Sequence, residues 1–226
     1  MSTRAHRESG VTADAVDHIR AAIRNGRLSP GERIVERSIS DELDISSIAV
    51  RDAFSRLAQE GWIERLPRRG VRVRRLEAPE IDDISDLRAL LEGEAAARAA
   101  QRITGGDLSA IDASALELVA GIPASMSQAA RRGDRQALFA LDDAFHAALW
   151  HLASSPTLQE LLQNLRARIT PIIRQSLWTM AKSELLQMGD WHADLLEAVH
   201  QGPAPARSAA AAHTERTRRL VLEDPR

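Results

Sequence analysis

Only one part of this 226-residue chain alternates with a period of two. "WIERL" and "VRVRRL", on either side of "PRRG" at 67–70, set apolar and polar residues in turn. That is the pattern of two half-buried strands joined by a tight connection. From "EAPEID" to the last residue the apolar positions recur at helical spacing instead. Such a chain builds its mass from helices and reserves extended backbone for one hairpin.

The segments before the hairpin are helical and short. "TADAVDHIRAAIRN" at 12–25 spaces Val16, Ile19 and Ile23 along one helix face, with Thr12 as a cap and Gly26 as a stop. "LSPGERIVE" reads as a turn. "SISDELD" reads as a short helix, and "SSIAVRDAFSRLAQEG" as a longer one with Val50, Phe54 and Leu57 at i, i+4, i+7 and Gly61 ending it. Three helices and a hairpin in this order make a winged helix-turn-helix over residues 1–76. Pro79 fits the first turn of a new helix and marks the boundary. Helical segments then run over 80–102, 107–133, 134–153, 157–181, 185–201 and 204–222, parted by "TGGD", "RRGD", "SSPT" and "QGPAP", with a kink expected at Pro171. Residues 77–226 are therefore predicted to form an all-α bundle of about six helices.

Charge divides along the same line. Residues 1–76 carry 15 Lys+Arg against 11 Asp+Glu, a balance of +4, and residues 77–226 carry 15 against 21, a balance of -6. A basic first third fits nucleic acid as its partner. The absence of Cys excludes disulfides, thiolate catalysis and cysteine-held metals. The N-terminus has no apolar signal region and no run is long enough to cross a bilayer, so the expectation is a cytoplasmic protein without a membrane partner.

In a winged helix the second helix of the pair enters the major groove and the wing touches the backbone or minor groove. Ser46 and Ser47 open that helix, Arg51 lies one turn in, and Arg37 begins the preceding helix. Arg68, Arg69 and Gly70 form the wing tip, where Gly permits the positive φ that a tight turn needs. Each Arg has a plainer reading as a solvated surface charge.

A second constellation sits in the bundle. In "DDAFH" Asp142 and His146 are at i, i+4 and point within about 40° of each other, while Asp143 is about 60° away on the other side. Either pair can chelate, and the smaller angle favours Asp142. His192 and His213 stand 11 before and 10 after residue 203 in the break "QGPAP", so an antiparallel helical hairpin brings them level. His151 faces another way and His200 lies nearer the turn. One Asp and three His suit Zn²⁺, Ni²⁺ or a similar divalent transition ion with positions left open. The alternative is ordinary hydrogen-bonded packing of the same rings.

The stretch "GERIVERSISDELDISSIAVRDAFSRLAQEGWIERLPRRGVRV" resembles the DNA-binding domain of GntR-type bacterial transcription regulators, in spacing throughout. The resemblance implies DNA-contacting positions at Arg37, Arg51 and Gly70. Where the family has S-R-T-P, this chain has Ser46, Ser47, Ile48 and Ala49, so an Arg and a Thr that face DNA are replaced. "DISDLRALLEGEAAARAA", "DDAFHAALWHLASSPTLQELL", "DWHADLLEAVHQG" and "AAAAH" are similar to the FCD effector domain of the FadR-like subgroup. By that likeness Asp142, His146, His192 and His213 fall on the ligand positions of its metal-binding branch. Trp191 replaces a common Glu, and "SSPT" and "QGPAPA" are shortened.

The resemblance implies a ligand-responsive regulator rather than an enzyme, a repressor binding operator double-stranded DNA as a homodimer, with a small carboxylate effector in the bundle. Arg88 is a candidate clamp for that carboxylate, or else an i, i+4 partner of Glu92, and Arg174 is a second candidate. Trp150, Trp178 and Trp191 line a pocket or fill the core. The alternatives are a DNA-binding protein without an effector and a metal-dependent hydrolase, the latter lacking an evident general base.

Overall fold

The computed structural model describes residues 2–67 and 69–223. It divides into two compact units, residues 1–76 with 170–172, and residues 77–169 with 173–226. The first contains α1 (Ser2–Arg24), β1 (Arg33–Ile34), α2 (Glu36–Leu43), α3 (Ser47–Gln59), β2 (Ile63–Leu66) and β3 (Gly70–Val73). The apolar stripe of α1 supplies Val16, Ile19 and Ile23 to a core that Val50, Phe54 and Leu57 of α3 complete. α2 turns into α3 at Asp44, whose φ of 51° is tolerated because a short polar side chain adopts the left-handed conformation at little cost. The Ser46 hydroxyl then accepts a hydrogen bond from the Ala49 N–H at 3.2 Å and caps α3.

Two local details differ from the sequence reading. α1 does not begin at Thr12, which is buried inside the helix. Part of the turn at 28–36 is a strand: β1 pairs antiparallel with β3, giving a sheet of order β1-β3-β2 with Ile34 opposite Val71 and Ile63 opposite Val73. These four residues are all buried, so the extra strand closes one edge of the small core. Gly70, at φ 85°, starts β3 after the wing turn.

The second unit is made of α4 (Ala78–Gly105), α5 (Ala110–Arg132), α6 (Arg135–Leu152), α7 (Pro156–Thr179, apart from 170–172), α8 (Lys182–Gln201) and α9 (Pro203–Glu223). Its ends are written in local chemistry. Gly106 and Gly133 take the left-handed conformation that stops α4 and α5. The Ser109 hydroxyl accepts from the Asp112 N–H and the Asp112 carboxylate accepts from the Ser109 N–H, a reciprocal box that starts α5. α7 continues as one helix through Pro171. Arg135 donates to the Leu177 and Met180 carbonyls at 2.8 and 3.0 Å and so satisfies the end of α7.

Packing brings α4 against α9 and α6, and α5 against α6 and α8. α4 contributes the small residues Ala96, Ala99 and Ala100, which let its neighbours approach, and Phe145, Leu149 and Leu152 of α6 fill the centre. α8 crosses α5 at Gly189, where a Cβ atom would lie 2.8 Å from the Pro123 carbonyl oxygen and 3.3 Å from the Ser127 nitrogen. No other residue type fits there without displacing a helix. Among the described residues no helix is long and apolar enough to cross a membrane.

Candidate metal centre and DNA-reading surface

Four ligand-type side chains meet in the centre of the bundle. Asp142 and His146 come from α6, His192 from α8 and His213 from α9, all four buried, with one donor atom each inside a sphere where no two are more than 4.8 Å apart. The His192 and His213 rings are 4.6 Å apart between centroids, and His146 stands 5.1 Å from His213 and 5.7 Å from His192. The hairpin around residue 203 is what sets His192 and His213 level. Asp143 is not in this set; it accepts from Arg166 Nε at 2.9 Å. His151 lies on another face, 3.7 Å from Asp112. His200 is exposed.

The donors fit a divalent cation on three grounds. Bonds of about 2.0–2.2 Å put opposite ligands at most about 4.4 Å apart, so the observed spread needs little contraction. His192 Nδ1 lies 2.7 Å from the Met188 carbonyl, which can only accept, so Nδ1 carries a proton. Nε2 then turns toward Asp142 Oδ1 at 3.0 Å, and two acceptors that close require a proton or a metal cation between them. Finally, His213 Nδ1 and His146 Nδ1 are buried without a hydrogen bond. His146 Nδ1 is 3.4 Å from Glu92 Oε2, close enough for charge attraction but outside hydrogen-bond geometry.

Behind the donors stands a shell of buried charge. Arg166 of α7 forks between Asp142 and Asp143. Arg88 and Glu92 of α4 are paired through Nε at 2.9 Å and Nη2 at 2.7 Å, with only 1% and 3% of their side chains exposed. Burial alone would raise the Asp142 carboxyl. The Arg166 guanidinium, the His192 hydrogen bond and the neighbouring imidazoles outweigh it and hold the group well below the usual carboxylate range. Glu92 is likewise depressed: burial opposes, and Arg88 followed by His146 prevails. Burial lowers His213 far below an ordinary imidazole, assisted by its two His neighbours, and lowers His146 together with Arg166 against the pull of Glu92. Neutral imidazoles and an ionised carboxylate are the protonation states a cation requires.

A small cavity of about 40 Å³ opens beside the cluster. Asp142, His192 and His213 reach it, with Arg166, Ser176 and Thr217 as further polar walls and Phe139, Trp191 and Leu220 among its apolar ones. Ser176 Oγ is buried there without a hydrogen-bond partner. Arg88 and Arg174 are not in this lining. Arg174 instead lies over the Trp178 ring at 4.3 Å and over Phe139 at 5.0 Å. Of the tryptophans, Trp150 is core, Trp178 is 44% exposed and Trp191 lines the cavity. Arg166 was not singled out by sequence reasoning. Its signal was there: it interrupts the apolar stripe of Leu158, Leu162 and Ile169, where a charge needs a buried partner.

The residues assigned to DNA sit on the surface of the first unit. The Arg37 side chain is 89% exposed, with Asp41 at 3.6 Å. Arg51 is paired through Nε with both Glu36 oxygens at 3.0 and 2.9 Å. Ser47 is exposed beside the capping Ser46. Arg69 and Gly70 are exposed in the wing, and Arg68 lies outside the described residues.

Comparison with known proteins agrees with both units. Residues 11–73 match the family "Bacterial regulatory proteins, gntR family", and residues 83–216 match the FCD domain. The HTH-type transcriptional regulator McbR of Escherichia coli (strain K12) is 27% identical over 146 residues, 65% of this chain and 62% of McbR. The HTH-type transcriptional repressor RspR of the same organism is 26% identical over 174 residues, 77% of this chain and 72% of RspR. The solved structure of E. coli McbR/YncC superposes with a TM-score of 0.78 at 21% identity, covering 94% of this chain and 97% of that one, a likeness of fold. A winged helix matched to one family model, followed by a helical unit matched to the other over more than half the chain, leaves one assignment: the chain belongs to the GntR family of bacterial transcriptional regulators, in the branch with an FCD domain, and is not an enzyme.

Proposed function

We propose that this regulator is a cytoplasmic repressor that binds a pseudo-palindromic operator as a homodimer and loosens its hold when a small carboxylate occupies the helical unit. Residues 1–76 form the DNA-binding domain, and residues 77–226 hold the effector and dimerise. The observation that carries the reading is the meeting of Asp142, His146, His192 and His213 in one cluster, three of which, Asp142, His192 and His213, line a cavity with the Arg166 guanidinium beside them. These four would hold a divalent transition ion, Zn²⁺ or Ni²⁺, which when bound supplies a Lewis-acidic site for carboxylate oxygens.

The chain's own residues do the rest. The Met188 carbonyl fixes the His192 tautomer, and Glu92, set by Arg88, faces His146. Arg166 orients Asp142 and presents a cation to the incoming acid, a role that replaces Arg88 and Arg174 as clamp. The Ser176 hydroxyl offers a donor for a polar substituent. A cavity of about 40 Å³ holds only a few waters, so the acid enters by widening the space between α7 and α9. An effector that binds the widened state better shifts the regulator toward it, and operator affinity falls by the same coupling. One winged helix reads one half-site, which is the reason for a dimer. The name of RspR supports repression rather than activation.

The test is operator binding by fluorescence anisotropy across a panel of small hydroxy- and dicarboxylates, with the protein metal-loaded and chelator-treated. We expect one acid class to weaken operator binding at least tenfold in the loaded protein alone. Unchanged affinity across the panel would leave a DNA-binding protein without an effector.

A further inference from the structure

The first turn of α3 is where a winged helix meets base edges, and in this chain it displays an unusual set of groups. Ser46 Oγ is committed to the Ala49 N–H, and Ala49 and Val50 are buried in the core. Arg51, one turn on, is held by Glu36. What remains at the front is Ser47 and Ile48, and the Ile48 side chain is 70% exposed. A β-branched residue gains nothing for the helix at this position, and its hydrocarbon stands in water. In the major groove adenine, guanine and cytosine offer donors and acceptors, whereas thymine alone adds a methyl group at C5.

We infer that Ile48 is a specificity-determining residue that selects thymine in each operator half-site by packing on its C5-methyl. The inference rests on the DNA-binding role of this helix. The contact works in two directions. A methyl packed on the isoleucine leaves water, while a cytosine amino group or a guanine carbonyl set against the same hydrocarbon loses its hydration with no partner in exchange. An apolar side chain at the tip of the helix thus acts both as a contact for one base and as a penalty against others.

The experiment uses the full chain. A duplex is selected from a randomised pool, and each thymine in one half-site is replaced singly by deoxyuridine, which removes only the methyl. We expect one replacement to weaken binding by about three- to fivefold, the scale of one lost methyl contact. Ile48→Ala should bind the thymine and deoxyuridine duplexes equally, with an unchanged melting temperature because the residue is not packed. If no deoxyuridine matters, or if the loss persists in Ile48→Ala, the inference is overturned while DNA reading stands. If selection enriches no sequence at all, the DNA-reading assignment of α3 falls with it.

Discussion

Both units carry Arg–carboxylate pairs, yet those on the proposed DNA face and those around the ligand cluster live in opposite surroundings. In the winged helix, Arg51–Glu36, Arg37–Asp41 and Arg27–Glu42 lie at the surface, with 51–89% of each Arg side chain exposed. In the bundle, Arg166–Asp142 and Arg88–Glu92 are sealed from water, with 1–8% of each Arg exposed. Surface pairs are worth about 0–1 kcal/mol because water competes for both partners. Such an Arg exchanges a glutamate for a phosphate with little loss. A sealed pair has no such exchange, since removing one partner leaves a buried charge unanswered. The proposed DNA face is made of charges that change partners freely, and the proposed ligand site of charges that hold theirs until an ion or an acid arrives to replace them.

The contrast is broken most directly at Arg166. Arg166→Leu should cost the metal-free protein about 3–5 kcal/mol in urea unfolding, because Asp142 keeps its charge and loses its counterion. A loss below about 1 kcal/mol would show that the pair is no more fixed than a surface one. Next in size is the cluster itself. His146→Ala and Asp142→Asn should each abolish stoichiometric metal in elemental analysis, whereas Asp143→Asn should retain it. The wild type should gain about 2.7 kcal/mol when free metal is 100 times its Kd, a gain absent from the two ligand variants.

Acidity gives a third, smaller handle. His213 and His146 are held below their ordinary range in the folded state, so below about pH 6.5 the unfolded chain binds protons that the native one refuses. Stability of the metal-free protein should therefore be level above about pH 7 and fall as pH drops through 6.5. A second fall should follow below about pH 4, where Asp142 and Glu92, both depressed by folding, lose their advantage. Thermal melting from pH 8 to pH 4 checks both steps, and a melting temperature that rises on acidification would contradict them. The smallest stability effect belongs to the DNA face. Arg51→Ala should change unfolding free energy by less than about 0.5 kcal/mol while weakening operator binding, and Arg37→Ala should lower the salt dependence by about one phosphate contact.

Helix positions in the bundle were legible because Gly106, Gly133 and the Gly202–Pro203 break punctuate them with local chemistry that needs no tertiary context. The meeting of His192 and His213 was legible for a related reason: one turn and equal arm lengths determine it. Arg166 was not, because nothing in its own helix says which neighbour receives the guanidinium; that depends on how α7 lies against α6. Arg88 presented two readings of equal merit, and only burial of Glu92 beside it makes the ion pair the one seen. In the first unit β1 escaped notice because two residues cannot show a period, and the strand exists only by pairing with β3. α1 begins ahead of Thr12 because a capping residue type inside a helix does not compel a start.

Gly189 lies three residues before His192, at the point where α8 rests on the backbone of α5. A methyl group there would push the two helices apart, and the His192 ring, tethered to its own helix through Met188, would travel with α8. The depth of the cluster is thus gauged by a residue with no side chain. Any side chain at position 189 meets the backbone of α5, although that position carries no donor atom and no chemistry. A lineage that kept all three histidines and lost this glycine would keep the donors and lose their convergence.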